Sequence, residues 1–344
     1  MINLFADLFG WDLGIDLGTV NSKVYVKGKG IVVREPSVVA INKQNNEILA
    51  VGKDAKRMVG RTPSSIVAVK PMRDGVISDF DITQKLLRYF IKKVHKFSLF
   101  ARPRVIICVP SGITGVERRA VIEAAEQSGV RAAYILEEAM AAAIGVGLPV
   151  SEPIGNMIID IGGGTTEIAV ISLGGIVVSK SIRIGGNEMD EAIINMVKRD
   201  HNMLIGETTA EAIKIEIGSA FVQEEEEVAE VRGRDLVGGL PKSIMLSSKN
   251  IREALDETIS KITNAVNETL DMTPPELIAD IYNYGITLVG GGSLIKGMAG
   301  RLRALTNCEV HTIDNPMEAV ALGAGKCIEN FNIFKNLITQ ERET

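Results

Sequence analysis

Twice in this chain an apolar run climbs to a single aspartate, breaks into glycine and threonine, and resumes as a second apolar run. The first instance spans 14–26, where Asp16 is followed by Gly18, Thr19, Val20 and Asn21. The second spans 157–171, where Asp160 is followed by Gly162, Gly163, Gly164, Thr165 and Thr166. Each reads as two strands joined by a tight turn. The two aspartates stand 144 positions apart and the flanking strands keep register when superposed, so the pattern predicts a duplicated unit with both turns facing one ligand. A third glycine turn, Gly290, Gly291, Gly292 and Ser293, follows a strand and leads into a helix.

The remaining pattern alternates strands and helices. The unbroken apolar run 105–109 predicts a buried strand ended by Pro110, and 134–138 a short strand leading into the alanine-rich helix 139–146. Helices are predicted at 81–97, 116–128, 189–200, 209–217, 251–270, 276–284, 317–327 and 332–340, with Thr114 as N-cap and Glu117 as capping-box acid of the second. Between 27 and 71 the chain reads as a small strand-rich insert, with strands at 30–36, 38–41 and 48–52.

Two apolar clusters fall outside this scheme. At about 100 degrees per residue, Ile2, Leu4, Phe5, Leu8, Phe9 and Trp11 share half a helical wheel, opposite Asn3, Asp7 and Gly10. This amphipathic segment predicts a helix lying on a membrane surface; a helix docked on its own domain is the alternative. It lacks the basic start of a signal peptide, and Asp7 interrupts any apolar core. Leu99 and Phe100, in a loop between basic residues, either cap the core or make a second membrane contact.

Length and charge narrow the class. A chain of 344 residues predicts two domains, and a 46% hydrophobic content makes them globular. The net charge of -5 argues against nucleic acid as a partner, because phosphate neutralisation requires a basic face. Cys108, Cys308 and Cys327 are far apart and read as buried thiols in a reducing compartment, and His95, His201 and His311 form no ligand cluster. No apolar run reaches the roughly 18 residues of a membrane span.

Glycine turns let backbone N–H groups approach phosphate oxygens, and an aspartate at a strand end suits a hydrated Mg2+ beside them. Two such turns, Asp16 and Asp160 and a third glycine turn describe a cleft for ATP or GTP with Mg2+. Neither a G-x-x-x-x-G-K-[ST] loop nor a G-x-G-x-x-G after the first strand occurs. Hydrolysis needs a group that orients a water toward the terminal phosphate. Glu138, beside Glu137 at a strand-to-helix junction, is the candidate; an acid favoured by the helix dipole is the alternative. Glu211 and Lys214, one turn apart, read on spacing as a surface pair, and 224–227 as a solvated acidic loop or strand edge.

In order, 15–21, 110–115 with Glu137 and Glu138, 160–166, 290–293 and 319–325 resemble the five nucleotide-site elements of the actin-like ATPase superfamily. More closely, 29–33, 35–38, 70–77, 139–145 and 214–218 resemble the MreB family of bacterial actin homologues, and the likeness covers essentially the whole chain. The resemblance implies an α/β actin-like fold of two similar domains, in four subdomains, around a nucleotide cleft. Its boundaries would be 12–33, 72–150 and 325–344 for subdomain IA, 34–71 for IB, 151–182 and 250–324 for IIA, and 183–249 for IIB, after a membrane helix at 1–11.

It further implies an ATPase using Mg2+ that forms antiparallel double filaments with itself on the inner face of the cytoplasmic membrane. There it would organise a cell-wall elongation machinery of RodZ, MreC and MreD type partners and maintain rod shape. By position, Gly18, Thr19, Val20, Asn21 and Gly162 to Thr166 would hold phosphates, with Asp16 and Asp160 at the metal. Glu211, Lys214 and Gly290 to Ser293 would hold the adenosine, and Glu138 with Thr165 would place the water. Ile2, Leu4, Phe5, Leu8, Phe9, Leu99 and Phe100 match the two membrane-contact regions. Val20 stands where alanine is usual, implying a small packing change, and Ala139 where proline usually follows the glutamate. A small-molecule kinase of the superfamily would need larger inserts, and a non-polymerising membrane adaptor would not need Glu138.

Overall fold

In the computed structural model, which describes residues 11–95 and 102–338, strand β1 (Leu13–Leu17) is buried along its whole length. It turns at Gly18 to Val20 into antiparallel β2 (Asn21–Val26), and a turn through Gly28 (φ +73°) sends β3 (Gly30–Pro36) back along β2. The short strands β4 (Val39–Asn42), β5 (Ile48–Val51) and β6 (Ile66–Val69) form a separate sheet with helix α1 (Lys53–Met58) on it. The hairpin β7 (Met72–Arg73) and β8 (Val76–Ile77) leads to α2 (Phe80–Val94), whose N-cap Asp79 accepts the Ile82 N–H. Then β9 (Arg104–Val109), α3 (Gly115–Gln127), β10 (Ala132–Glu137) and α4 (Glu138–Val146) complete the first half. Thr114 and Glu117 form the expected capping box on α3.

The second half repeats the plan. It runs β11 (Asn156–Ile161), β12 (Thr166–Ser172), β13 (Gly175–Ile182), α5 (Gly186–His201), β14 (Met203–Leu204), α6 (Glu207–Ile217), β15 (Val228–Asp235) and β16 (Pro241–Ser247). It continues through α7 (Ser248–Asp271), α8 (Pro275–Tyr284), β17 (Ile286–Val289), α9 (Met298–Thr306), β18 (Val310–Thr312) and α10 (Ala319–Glu329). The first large sheet has the order β10-β9-β1-β2-β3 and the second β18-β17-β11-β12-β13, with the same parallel and antiparallel pairings. The duplication predicted from two turns therefore extends to two five-stranded sheets.

Between the sheets lie α4 and α10, buried together with Ile106, Cys108, Ile158 and Val289 from the strands they cover. Their backbones approach closely because small residues face each other. An added Cβ on Gly14 would stand 2.8 Å from Ala324, and one on Gly145 or Gly323 would overlap the carbonyl of Ala319 or Ala141. Such contact without intervening side chains makes the two helices a rigid floor for everything above them.

Three expectations change in the folded chain. Strand 30–36, assigned to the small insert, is the edge strand of the first sheet, because the tight turn at Gly28 leaves it no direction but along β2. The boundary expected at 33/34 thus falls inside β3, and the one at 324/325 inside α10. The helix expected at 332–340 is one turn (Phe331–Phe334) and a 3-10 turn (Lys335–Leu337) within the described residues. Phe331 is pinned edge-on to Tyr134 at 5.0 Å and under the Arg104 guanidinium at 3.9 Å, which breaks the helical path.

Trp11, placed on the apolar face of the N-terminal segment, packs instead on the body beneath Lys29, 4.1 Å from its ring centre. Ile2, Leu4, Phe5, Leu8, Phe9, Leu99 and Phe100 lie outside the described residues. The acidic run 224–227 is an exposed loop, as expected, tied by Glu226 to Arg252 and by Glu227 to Lys296. Among the described residues no helix is long and apolar enough to cross a membrane.

Candidate nucleotide site

A cleft of about 650 Å3 opens between the two halves. Both strand turns, the third glycine turn, Glu138, Glu211 and Lys214 line it, so the structure gathers most of the expected residues around one space.

The turns present donors for a geometric reason. In a trans peptide the carbonyl and the next N–H point in opposite directions, so tying a carbonyl back aims the following N–H forward. The Gly186 N–H donates to the Gly162 carbonyl at 3.0 Å and the Asn187 N–H to the Gly163 carbonyl at 2.7 Å. The N–H groups of Gly163 and Gly164 are left facing the cleft. In the first turn Ser37 does the same work. Its hydroxyl donates to the Gly18 carbonyl at 2.6 Å and its N–H to the Val20 carbonyl at 2.9 Å, freeing the N–H groups of Thr19 and Asn21. Such rows of N–H groups are anion cradles.

The two cradles touch. A Cβ on Gly163 would overlap the Val20 side chain, and one on Gly164 would stand 2.8 Å from Thr19 Cγ2. Val20, which carries two methyl groups on the Cβ where the usual alanine has none, is therefore the contact between the two turns.

Two expected contacts stand behind the cleft wall. Thr166 is fully buried and donates to the Ile184 carbonyl at 2.7 Å, and Ser293 closes its own turn by donating to the Gly290 carbonyl at 2.6 Å. Glu211 and Lys214 do not pair with each other as spacing suggested. Glu211 reaches across the mouth to Lys56 at 2.7 Å, and Lys214 reaches Asp190 at 2.8 Å and the Gly186 carbonyl at 2.6 Å. A second link across the mouth joins Lys70 to Glu207 at 2.6 Å. Ser37, Asp190 and Lys56 escaped sequence reasoning because nothing local marks a partner so far along the chain. Lys23 was legible in principle: strand periodicity sets it opposite Asp16, to which it donates at 2.9 Å.

Acids crowd the cleft floor. Burial, reinforced by Asp16, pushes the Asp160 carboxyl up to about 7. Burial and then the charges of Glu167, Asp16 and Asp160 raise Glu138 well above the ordinary carboxylate range. Burial also brings Glu167 to about 7 against the bonds it accepts from Ser181 and Ser111, and Asp190 to about 6 against the pull of Lys214. Lys23 is itself held above its ordinary value, since Asp16 outweighs the opposing effect of burial. Such a floor repels a bare polyphosphate and suits a divalent cation. Among the described residues no cluster of three or more His, Cys, Asp or Glu side chains forms a protein-only metal cage. Two carboxylates facing a phosphate cradle are what Mg2+ ordinarily uses.

These shifts carry a pH dependence. A carboxyl raised in the folded state keeps a proton that the unfolded chain has lost between its two pKa values, so stability is greatest below the ordinary value and falls as pH rises through about 7. The ligand-free protein is expected to melt lower at pH 8 than at pH 6 in scanning calorimetry. Mg2+ with a non-hydrolysable ATP analogue should narrow the gap. A ligand-free melting temperature that climbs with pH over this interval would contradict the burial assigned to these acids.

Comparison with known proteins gives a consistent result. A family profile described as MreB/Mbl protein matches residues 10–336. The cell shape-determining protein MreB of Escherichia coli (strain K12) is 52% identical over 334 residues, 96% of each chain. The cell shape-determining protein Mbl of Bacillus subtilis (strain 168) is 49% identical over 325 residues, 94% of this chain and 98% of that protein. The crystal structure of MreB5 of Spiroplasma citri, known bound to ADP and bound to AMPPNP, superposes with a TM-score of 0.90 at 39% identity, covering 95% of this chain and 98% of that one.

Proposed function

Because this chain belongs to the MreB/Mbl family and has its actin-like fold, we propose that it is a Mg2+-dependent ATPase whose nucleotide state controls assembly into membrane-bound filaments that maintain cell shape. The observation that carries the reading is the pair of N–H cradles meeting across one cleft with Asp16 and Asp160 at their base. Thr19, Val20, Asn21 and Gly162 to Thr165 grip the phosphates. Asp16 and Asp160 would hold Mg2+, which would supply positive charge against the phosphates. Lys214 and Glu211 would flank the nucleoside, in the part of the cleft lined by Ile215, Leu294, Met317 and the glycines 290–292. That MreB5 is known with ADP and with AMPPNP supports this choice of ligand.

Glu138 at the first turn of α4 and Thr165 at the rim of the second cradle orient the attacking water, with Glu138 accepting its proton. A Glu138 carboxyl raised above its ordinary range by burial and by the neighbouring acids holds its proton more tightly, which favours slow turnover. Its partners would be a second copy of itself in antiparallel double filaments and RodZ, MreC and MreD type proteins of the elongation machinery. The proposed subdomain division is that of the family, with the small insert and the β14–β16 sheet forming the two lips of the cleft.

Membrane attachment is supported by adjacency. Trp11 donates its backbone N–H to His95 Nε2 at 2.8 Å, so the described residues that border the two apolar clusters in sequence meet each other. Each alone would bind weakly; repeated along a filament they bind through effective concentration. The test is co-sedimentation with liposomes and negative-stain microscopy in ATP, with and without residues 1–10. Paired filaments on lipid that need the N-terminus are expected; single unassembled molecules under every nucleotide condition would overturn the reading.

A further inference from the structure

The duplication exposes one residue that the proposed chemistry leaves unused. In the first half, the residue opposite Asp16 across the β1–β2 hairpin is Lys23, an opposite charge that pairs with it. In the second half, the residue opposite Asp160 across the β11–β12 hairpin is Glu167. A buried acid facing another acid across a strand pair is unfavourable, and Glu167 is only 1% exposed. Nothing in sheet formation requires it there, since Lys23 solves the same position without repulsion.

Both carboxyl oxygens of Glu167 are engaged, and by different halves of the molecule. Oε2 accepts the backbone N–H of Ser111 at 3.0 Å, from the segment that leaves β9 in the first half. Oε1 accepts the hydroxyl proton of Ser181 on β13 in the second half. Ser111 follows Pro110, whose ring packs beside Gly75 together with the methyl of Thr165. The preceding residue, Val109, lies in register with Glu137 on β10, one position before Glu138.

From this geometry we infer that Glu167 is a positioning residue for hydrolysis. It rivets the end of β9 to β12 and β13, and so fixes Glu138 of one half against Thr165 of the other. The inference rests on the ATPase reading above. Glu167 does not line the cleft and acts through its hydrogen bonds to Ser111 and Ser181. Loss of the rivet loosens the end of β9, and with it the placement of Glu138, while the two phosphate cradles keep their own ties through Ser37, Gly186 and Asn187 and their contact with each other. Binding therefore survives and turnover does not, since a displacement of about 1 Å at a reacting centre costs about 100-fold.

Steady-state phosphate release, AMPPNP affinity and thermal unfolding of the intact chain, E167A and E167Q test it. E167A removes both acceptors. E167Q retains the bonding, because its amide oxygen accepts the Ser111 N–H while its NH2 donates to the Ser181 hydroxyl. Turnover by E167A is expected to fall about 100-fold with AMPPNP affinity unchanged, and E167Q to restore most of it. Ser181→Ala, which removes one tie and leaves the acid in place, should fall between them and serves if E167A does not fold. Hydrogen exchange at the Ser111 amide should quicken in E167A and not in E167Q.

E167A as active as the intact chain would overturn the inference, and so would E167Q as slow as E167A, which would point to charge instead of bonding. Parallel loss of affinity and turnover would reduce Glu167 to a structural residue. An intact chain that releases no phosphate overturns the ATPase reading itself, and this inference with it.

Discussion

Replacing Glu138 with glutamine is expected to slow ATP turnover by about 100- to 10,000-fold while nucleotide affinity stays within a factor of a few. The amide has the size of the carboxyl it replaces, so the floor of the cleft keeps its shape. It also removes one negative charge from a site where Asp16, Asp160 and Glu167 already oppose an anionic ligand, so binding has no reason to weaken. What disappears is the group proposed to take the proton of the attacking water. Assembly that depends on ATP binding should persist, and filaments formed with ATP should resemble those formed with AMPPNP.

The pH profile sharpens the expectation. Burial, Glu167, Asp16 and Asp160 hold the Glu138 carboxyl above its ordinary range, so the intact protein should turn over faster as pH rises and this base sheds its proton. The residual rate of E138Q should rise less steeply, leaving only the part that comes from Asp160 and Glu167, which titrate at about 7. Phosphate release measured between pH 6 and 8 checks both statements. Unchanged turnover in E138Q would mean that another group places the water.

The second large effect concerns the floor itself. Glycine to alanine inside a helix ordinarily gains about 1 kcal/mol from lost flexibility in the unfolded chain. Gly323→Ala in α10 is expected to do the opposite and cost about 2 to 3 kcal/mol. The new Cβ falls on the backbone carbonyl of Ala141 in α4, and a backbone in the middle of a buried helix cannot step aside as a side chain does. Gly115→Ala, at the start of α3, is the control, because a Cβ there meets nothing within 4 Å. Scanning calorimetry should show G323A melting about 4 to 5 °C lower than G115A. Equal stability of the two would mean that α4 and α10 stand farther apart than described. Since α4 begins with Glu138 and α10 spans the base of both sheets, the same substitution should also disturb the cleft.

Much of this molecule is written locally. The two strand-turn-strand units around Asp16 and Asp160, the capping box at Thr114 and Glu117, the proline that starts α8 and the junction that carries Glu138 all follow from residue periodicity, glycine and proline within a few positions. Those signals located the two glycine turns and Glu138, which the fold brings to one cleft, and the comparison with the MreB/Mbl family agrees with the fold they imply. Short-range rules suffice there because a turn, a cap or a strand end is decided by neighbours in sequence.

The pairings across the molecule were decided only by folding. Strand 30–36 joined the first sheet, Glu211 and Lys214 turned to Lys56 and Asp190, and Thr166 and Ser293 were drawn behind the wall. Ser37 tied down the first cradle from the next strand segment, and Glu167 joined a backbone N–H 56 positions away. A side chain with several acceptable partners carries no local mark of which it will meet. Its choice is fixed when packed sheets and helices bring one partner within hydrogen-bonding distance and bury the pair, since a polar group left alone in that interior costs more than any surface alternative returns.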